Sequence, residues 1–498
     1  MVIIKYLDNK IKEEIGLNYV FNELYIITPY GMTRKKKIRV YNRMEMDLLH
    51  NELDNVENII DSLQRNKESY SEIERNMMEF KDITNLIKRY NRNYILDEVE
   101  LFEIKSFAIN IQKLLSTYKT LELDIDIELY SMKKIIKLLN PENNTSHTFY
   151  IYNAYSGELE GIRNKKMQLE KIIFKEEDQK RIKLLKNERL DLVVEEEKLE
   201  SIIKRDLSTK MYDYIDKIKH NIDALGRLDI LIAKGKIAIE YSAVKPKIME
   251  NINIYFKEMK NPKVINHLEE NNKNYIPVSI SLKNGVTVIT GANMGGKSVT
   301  IKTMVLNLLL AQMGFYVFAK EAEFSVMDFI YLISDDMQSI SKGLSSFGAE
   351  IIKINEAVKD IKKSNGFIGL DEFARVTNPG EGSILLRALC KFLKGYNTIS
   401  LISTHYDGII DEDMKHYQVI GLKNVDECIL KNKINIDKED STRIIQDKMD
   451  YRLEVVDENC TVPKDAIKVA KLLGLDEKIL DYTESIYYLK KVGGYNGK

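Results

Sequence analysis

The run 289-ITGANMGGKSVTIKTM-304 decides how the second half of the chain folds. Gly291 to Ser298 reads G-A-N-M-G-G-K-S, the spacing of a phosphate-binding loop. Its left flank, 286-VTVIT-290, is short, apolar and β-branched, the texture of a buried strand. Its right flank, from Ser298 to about Met313, places Ile301, Met304, Val305, Leu308 and Leu309 on one helical face. Glycine-rich turns before helices are common, but strand, loop and helix in this order supply the context the motif needs. The glycines let backbone N–H groups turn toward phosphate oxygens, and the helix N-terminus adds a field that favours negative charge. Gly291, Asn293, Gly295, Gly296, Lys297, Ser298 and Val299 are therefore the expected nucleotide-binding residues. Lys297 is expected to reach the β- and γ-phosphates of ATP, and the Ser298 hydroxyl to ligate Mg²⁺.

Outward from the loop, apolar strands alternate with helical stretches from Ile276 onward: 329-FIYLIS-334, 367-FIGLD-371 and 398-TISLIST-404. That alternation predicts an α/β domain on a mainly parallel sheet. Upstream, proline is absent between Pro29 and Pro141 and between Pro141 and Pro246. The first 250 residues accordingly read as long helices with apolar spacing of three and four, as in Leu101, Ile104, Ala108, Ile111, Leu114 and Leu115. Residues 162 to 225 hold neither Gly nor Pro and are dense in Lys and Glu, so 160–225 reads as a coiled-coil-like arm. As one straight helix it would span ~95 Å, which favours a folded-back hairpin. The Asn- and Lys-rich stretch 251–275 reads as a linker, 463–490 as two short helices around Gly474, and 491–498 as a flexible tail.

Whole-chain properties narrow the function classes. The 498 residues carry 75 basic and 76 acidic side chains, a net charge of −1 that gives no bulk attraction to nucleic acid. Cys390, Cys428 and Cys460 are too few and too scattered for a disulfide framework or a zinc site. Neither a signal-like N-terminus nor an apolar run of membrane length is visible, so a cytoplasmic protein without a membrane partner is expected.

A second site element is 367-FIGLDE-372, an apolar strand running into paired acids. Asp371 at the strand end is placed to hold Mg²⁺ through water, and Glu372 to orient or deprotonate an attacking water. His405, just past another strand in 401-LISTHYDGI-409, can sense the γ-phosphate by hydrogen bonding. Lys297, Glu372 and His405 are the catalytic candidates. Between these elements lies 335-DDMQSISKGLSSFGAEI-351, whose Ser345 and Ser346 could offer hydroxyls to a phosphate.

The order T-G-A-N-M-G-G-K-S, D-D-M-Q-S-I-x-x-x-L-S-S-F, G-L-D-E-F-A-R-V-T-N-P-x-E-G and S-T-H-Y resembles the MutS family of ABC-type ATPases. G-G-K-S-V-T-I-K-T with N-P-G-E-G after the acids is nearer the second MutS branch than mismatch-repair MutS. The stretches 154–173 and 224–241 resemble that branch's lever helices, and 465–480 its dimer-closing helix-turn-helix. The resemblance implies an ATPase domain over 276–462 preceded by an all-α lever domain, and a homodimer. Each ATP would then lie between one subunit's loop and the other's Ser345 and Ser346. Ala292 departs from the family's usual proline, and Ala374 and Val376 from its usual glycines.

Three parts of that family's DNA machinery are missing from the pattern. Phe21-Asn22-Glu23 matches the Phe-x-Glu wedge of a mismatch reader, but without its surroundings, and reads as a coincidence. A nuclease domain is not seen after the terminal helices, so cleavage is not expected. A β-clamp without Gly or Pro turn residues is implausible at 175–205, which leaves a helical tip. Its Lys180, Arg181, Lys183, Lys186 and Arg189 are offset by Glu176, Glu177, Asp178 and Glu188. Two loads on an ATP-driven switch are consistent with this sequence. One is duplex or branched DNA, in a DNA-repair setting. The other is an adenosylcobalamin-dependent amino acid mutase, such as a lysine or ornithine aminomutase, reactivated together with a second reactivase subunit.

Overall fold

The computed structural model describes residues 9–143, 150–291, 295–334, 346–406, 408–422, 449–456, 470–471 and 475–493. Two short helices, α1 (Asn9–Ile15) and α2 (Leu17–Glu23), open the chain. Nine more follow: α3 (Pro29–Lys35), α4 (Met46–Arg65), α5 (Lys67–Met78), α6 (Thr84–Arg89), α7 (Glu98–Thr120), α8 (Lys133–Leu139), α9 (Gly157–Lys175), α10 (Gln179–Tyr212) and α11 (Ile215–Glu240). Two compact units result. One comprises residues 25–38 and 55–236, the other 1–24, 39–54 and 237–498.

The 25–38 and 55–236 unit is built of helices and connecting loops, with no strand among its described residues. Helix α7 is its centre, with Leu101, Ile104, Ala108, Ile111, Leu114 and Leu115 all buried. Asp97 and Glu100 close its N-terminus as a reciprocal capping box, satisfying two otherwise unpaired N–H groups. Helices α9 and α10 fold back on each other across a turn capped by Asp178, whose side chain accepts from the Lys180 N–H. At the base of this hairpin Arg163 donates to Glu196 (2.8 Å), Glu200 (2.7 Å), the Asn153 Oδ1 (2.6 Å) and the Ile151 carbonyl (2.6 Å). Lys166 also pairs with Glu196. Burial opposes the charge on Glu196, yet the hydrogen bonds from Lys166 and Arg163 hold its carboxyl below the usual range.

The other unit is mixed α/β. Its main sheet has the order β10-β9-β4-β8-β7-β6, formed by β4 (Gly285–Thr290), β6 (Phe329–Ser334), β7 (Gly366–Asp371), β8 (Thr398–Ser403), β9 (Lys415–Gly421) and β10 (Asp450–Val455). All neighbours pair in parallel except the antiparallel edge β10·β9. Strands β6, β7 and β8 are buried at every position, which is why they are mostly apolar and the polar residues within β8 are only the small Thr398, Ser400 and Ser403. Helix α13 (Lys297–Gln312) packs against β7 and β8. It comes close enough that a Cβ on Gly369 would meet the Ile301 side chain at 3.0 Å. Ile354, Ala357 and Ile361 of α14 (Ser346–Ile361) and Leu386, Cys390 and Leu393 of α15 (Pro379–Leu393) join Val288, Ile368, Leu370 and Ile402 in the sheet's apolar core.

The expectation of a linker at 251–275 is corrected. Residues Asn253–Met259 form β2, which pairs antiparallel with β3 (Val278–Lys283) and with β5 (Glu321–Phe324). With the short β1 (Lys247–Ile248) they make a second sheet, β1-β5-β2-β3. Ile254, Phe256 and Met259 are buried, and that alternation was hidden by the Lys and Asn around it. Helix α12 (Pro262–Glu270) follows, with proline at its first turn where no N–H is needed.

The N-terminal boundary is corrected too. Helices α1 and α2 belong with the mixed unit rather than with a helical domain spanning 1–250. Asn261 donates to the Ile15 carbonyl (3.0 Å), Lys302 pairs with Glu14 (3.2 Å) and Phe21 stacks on Phe315 (6.0 Å). Phe21 therefore packs within this unit. At the other end Glu477–Gly493 form one helix, α16, which takes in the first three residues of the expected tail. Gly474 lies outside the described residues.

Candidate functional site

Strand β4 delivers the glycine loop to the C-terminal edge of the parallel sheet, beside the ends of β7 and β8. Gly291 has φ +147, and a Cβ there would meet the Val419 side chain at 2.9 Å, so the close approach of β9 requires glycine. Gly296, at φ +81, turns the chain into α13. Asn293 lies outside the described residues, and Gly295, Gly296, Lys297, Ser298 and Val299 all line one cleft.

Lys297 is buried, and its Nζ donates to the Gly291 carbonyl (2.8 Å) while lying 3.7 Å from Glu372. Burial pulls this ammonium below its ordinary value, and the charges of Glu372 and Asp371 oppose the shift. Ser298 Oγ donates to Asp371 Oδ1 at 3.0 Å, so the loop and the β7 carboxylate meet directly. Asp371 is pushed above the usual carboxylate range by burial, against the hydrogen bonds from Ser403 and Ser298. Glu372 sits at φ +51, with Arg375 Nη1 donating to its Oε2 at 2.7 Å. His405 packs its ring on Tyr406, 4.5 Å between centroids. Burial lowers the pKa of His405, as do Lys297 and Arg375, while Glu372 acts the other way. Ser345 and the Ser346 side chain lie outside the described residues.

Four residues at this site escaped sequence reasoning. Ser403 at the end of β8 accepts from the Glu372 N–H (3.1 Å) and donates to Asp371 (2.6 Å), bridging both acids. Its position directly before Thr404-His405 was the available signal. Arg375, Tyr275 and Tyr451 also line the cleft, Tyr451 so near the loop that a Cβ on Gly296 would meet its ring at 3.0 Å. Burial raises the Tyr275 hydroxyl to about 12. Tyr275 was read as part of a linker, and Tyr451 carries no sequence signal. The cleft measures about 1150 Å³, ample for a nucleoside triphosphate.

The donor set fits Mg²⁺. One carboxylate and one hydroxyl within 3.0 Å of each other, with phosphate oxygens and water completing the shell, is how this ion is usually held. A buried Asp371 that resists ionisation suits a cation. No group of three or more His, Cys, Asp or Glu that could hold a metal alone occurs among the described residues. No helix among them is long and apolar enough to cross a membrane.

A glycine loop at the start of a helix, facing strand-end acids across the edge of a parallel sheet, defines a P-loop nucleotide-hydrolysing domain. Residues 287–488 match the family model of MutS domain V, an ATPase domain. The chain is 31% identical over 300 residues to endonuclease MutS2 of Finegoldia magna, covering 59% of this chain and 35% of that protein. It is 34% identical over 228 residues to endonuclease MutS2 of Caldicellulosiruptor bescii (45% and 27%). Over 303 residues it is 28% identical to the DNA mismatch repair protein MutS of Aquifex pyrophilus (60% and 33%). The chain thus carries a MutS-family ATPase domain and is homologous to MutS2 and MutS proteins, whose length it spans to about a third. The expectation that it leaves DNA uncut finds no support in relatives named endonucleases.

Proposed function

We propose that the chain is a MutS-type, ABC-class ATPase that works as a homodimer and acts on duplex or branched DNA. The carrying observation is the convergence of Lys297, Ser298, Asp371 and Glu372 where the glycine loop faces the strand-end acids. Backbone amides of the loop hold the phosphates, and Lys297 draws charge from the transferring group. Water attacks the γ-phosphorus as the bond to the bridging oxygen breaks, releasing ADP and phosphate. Glu372 orients that water and takes its proton, and His405 reports the γ-phosphate. Mg²⁺ on Ser298 and Asp371 would neutralise phosphate charge. Ser345 and Ser346 from a second copy complete each site.

The test is Glu372→Gln in the full chain. Turnover should fall about 100-fold or more while ATP binding persists, and ATP should drive the protein into a dimer measurable by light scattering. Unchanged turnover overturns the reading.

A protein load, such as the adenosylcobalamin-dependent aminomutase, is favoured by one observation. At the hairpin tip Arg181 lies 3.2 Å from Glu176, and Arg189 lies 2.7 Å from Glu170, so two basic groups are already neutralised.

A further inference from the structure

Ala374, two residues beyond the hydrolytic carboxylate, has φ +61, a left-handed conformation that glycine adopts freely and alanine does not. Glu372 is left-handed as well, so two of three consecutive residues are strained. Such a turn persists only where its surroundings over-determine it. Ala374 is fully buried, and both of its peptide polar groups are gripped by side chains. Its N–H donates to the Glu350 Oε2 of α14 at 3.0 Å. Its carbonyl accepts from the Tyr406 hydroxyl at 2.8 Å. Gly382, in the first turn of α15, makes room for that second bond. A Cβ there would lie 2.5 Å from the Tyr406 hydroxyl and 3.0 Å from the Ala374 carbonyl.

We propose that Glu350 and Tyr406 are positioning residues for hydrolysis, clamping Ala374 so that Glu372 is held at the γ-phosphate. The clamp acts through the backbone alone. Glu372 is short-tethered, since its N–H is fixed by Ser403 and its own carbonyl accepts from the Arg375 N–H at 3.2 Å. Any relaxation at Ala374 therefore rotates the Glu372 side chain. Tyr406 follows His405 directly and packs against its ring, so one tyrosine sets both the carboxylate turn and the phosphate-sensing histidine. Glu350 brings α14 into the same arrangement. Alanine at 374 makes this chain dependent on the clamp in a way a glycine would not be. The inference rests on the ATPase reading.

The experiment measures ATP affinity, KM and kcat for the full-length wild type, Tyr406→Phe, Glu350→Ala, Glu350→Gln and Tyr406→Phe/Ala374→Gly. Tyr406→Phe and Glu350→Ala should lose about tenfold or more in kcat with KM and ATP affinity little changed, as expected of a misplaced carboxylate. Glu350→Gln, which keeps an acceptor for the Ala374 N–H, should stay near wild type. The double variant should recover most of the kcat lost by Tyr406→Phe, because glycine holds the turn unaided. A wild type that hydrolyses ATP alongside a Tyr406→Phe protein of unchanged kcat overturns the clamp and leaves the ATPase reading intact. The clamp is also overturned if Ala374→Gly fails to rescue a folded Tyr406→Phe protein. A wild type that binds ATP without hydrolysing it overturns the ATPase reading, and the clamp with it. Where Glu350→Ala does not fold, the Tyr406→Phe pair decides.

Discussion

Asp371 shows at a single residue how a catalytic arrangement works against the fold. Burial raises its pKa above 3.8, so the native state disfavours the charged form. The sign follows from proton linkage. Just above the ordinary carboxylate value the folded chain retains a proton that the unfolded chain has lost, and stability falls as pH rises through the folded pKa. At neutral pH the ionised side chain is therefore a net cost, offset in part by the two serine hydroxyls. Asp371→Asn keeps an acceptor for both hydroxyls and removes the charge. Thermal melts without nucleotide should show the variant a few degrees more stable at pH 7.5, with the gap narrowing as pH falls through the folded pKa of Asp371. Its Mg²⁺-dependent hydrolysis should be lost. Equal melting temperatures at pH 7.5 would contradict this account of Asp371. Asp371, Glu372 and His405 were legible because they follow buried apolar runs, where period and composition change abruptly, and Lys297 and Ser298 because of the glycine spacing before them. Ser403, Tyr275 and Tyr451 were not, because a buried serine inside a strand and tyrosines on a cleft wall look like ordinary packing. The left-handed turn at Ala374 was legible only as a departure from a glycine.

At the scale of elements, the buried strands β6, β7 and β8 could be read from the chain because parallel strands covered on both faces are mostly apolar, with only small hydroxyl residues inside β8. Strand β2 could not, since half its residues face outward and are Asn, Tyr, Lys and Glu. The α9–α10 hairpin is the opposite case, plain from its uninterrupted helix-forming composition. What composition did not show is that its base depends on one guanidinium. Arg163 is four-fifths buried and joins α9 to α10 and to the carbonyl of Ile151. Arg163→Ala should destabilise the hairpin by about 2–3 kcal/mol, because Glu196 would keep only Lys166 and Glu200 would lose its ion pair with Arg163. Hydrogen exchange should quicken across 157–212, while ATP affinity, which depends on the other unit, stays unchanged. Uniform exchange across both units would show that the hairpin has no separate stability.

At the scale of the whole molecule, the question is what a near-neutral chain can hold. Each lysine or arginine that neutralises a DNA phosphate steepens the fall of affinity with salt by about 0.9 in log–log slope. With Arg181 and Arg189 engaged by Glu176 and Glu170, the α10 side of the hairpin tip has Lys180, Lys183 and Lys186 to offer. A DNA-binding role centred there predicts DNA-stimulated ATPase activity with a slope of about −3, shallow beside that of strongly basic DNA binders. Replacing all three lysines by glutamate should abolish the stimulation and leave the basal rate intact, because the tip and the nucleotide cleft belong to different units. A stimulation that survives the triple substitution moves the contact elsewhere on the chain. An ATPase indifferent to duplex, branched and single-stranded DNA at low salt removes the nucleic-acid load. In that case Phe174, 91% exposed at the hairpin tip, becomes the natural first contact with a protein, since an aromatic ring in water gains most by covering it.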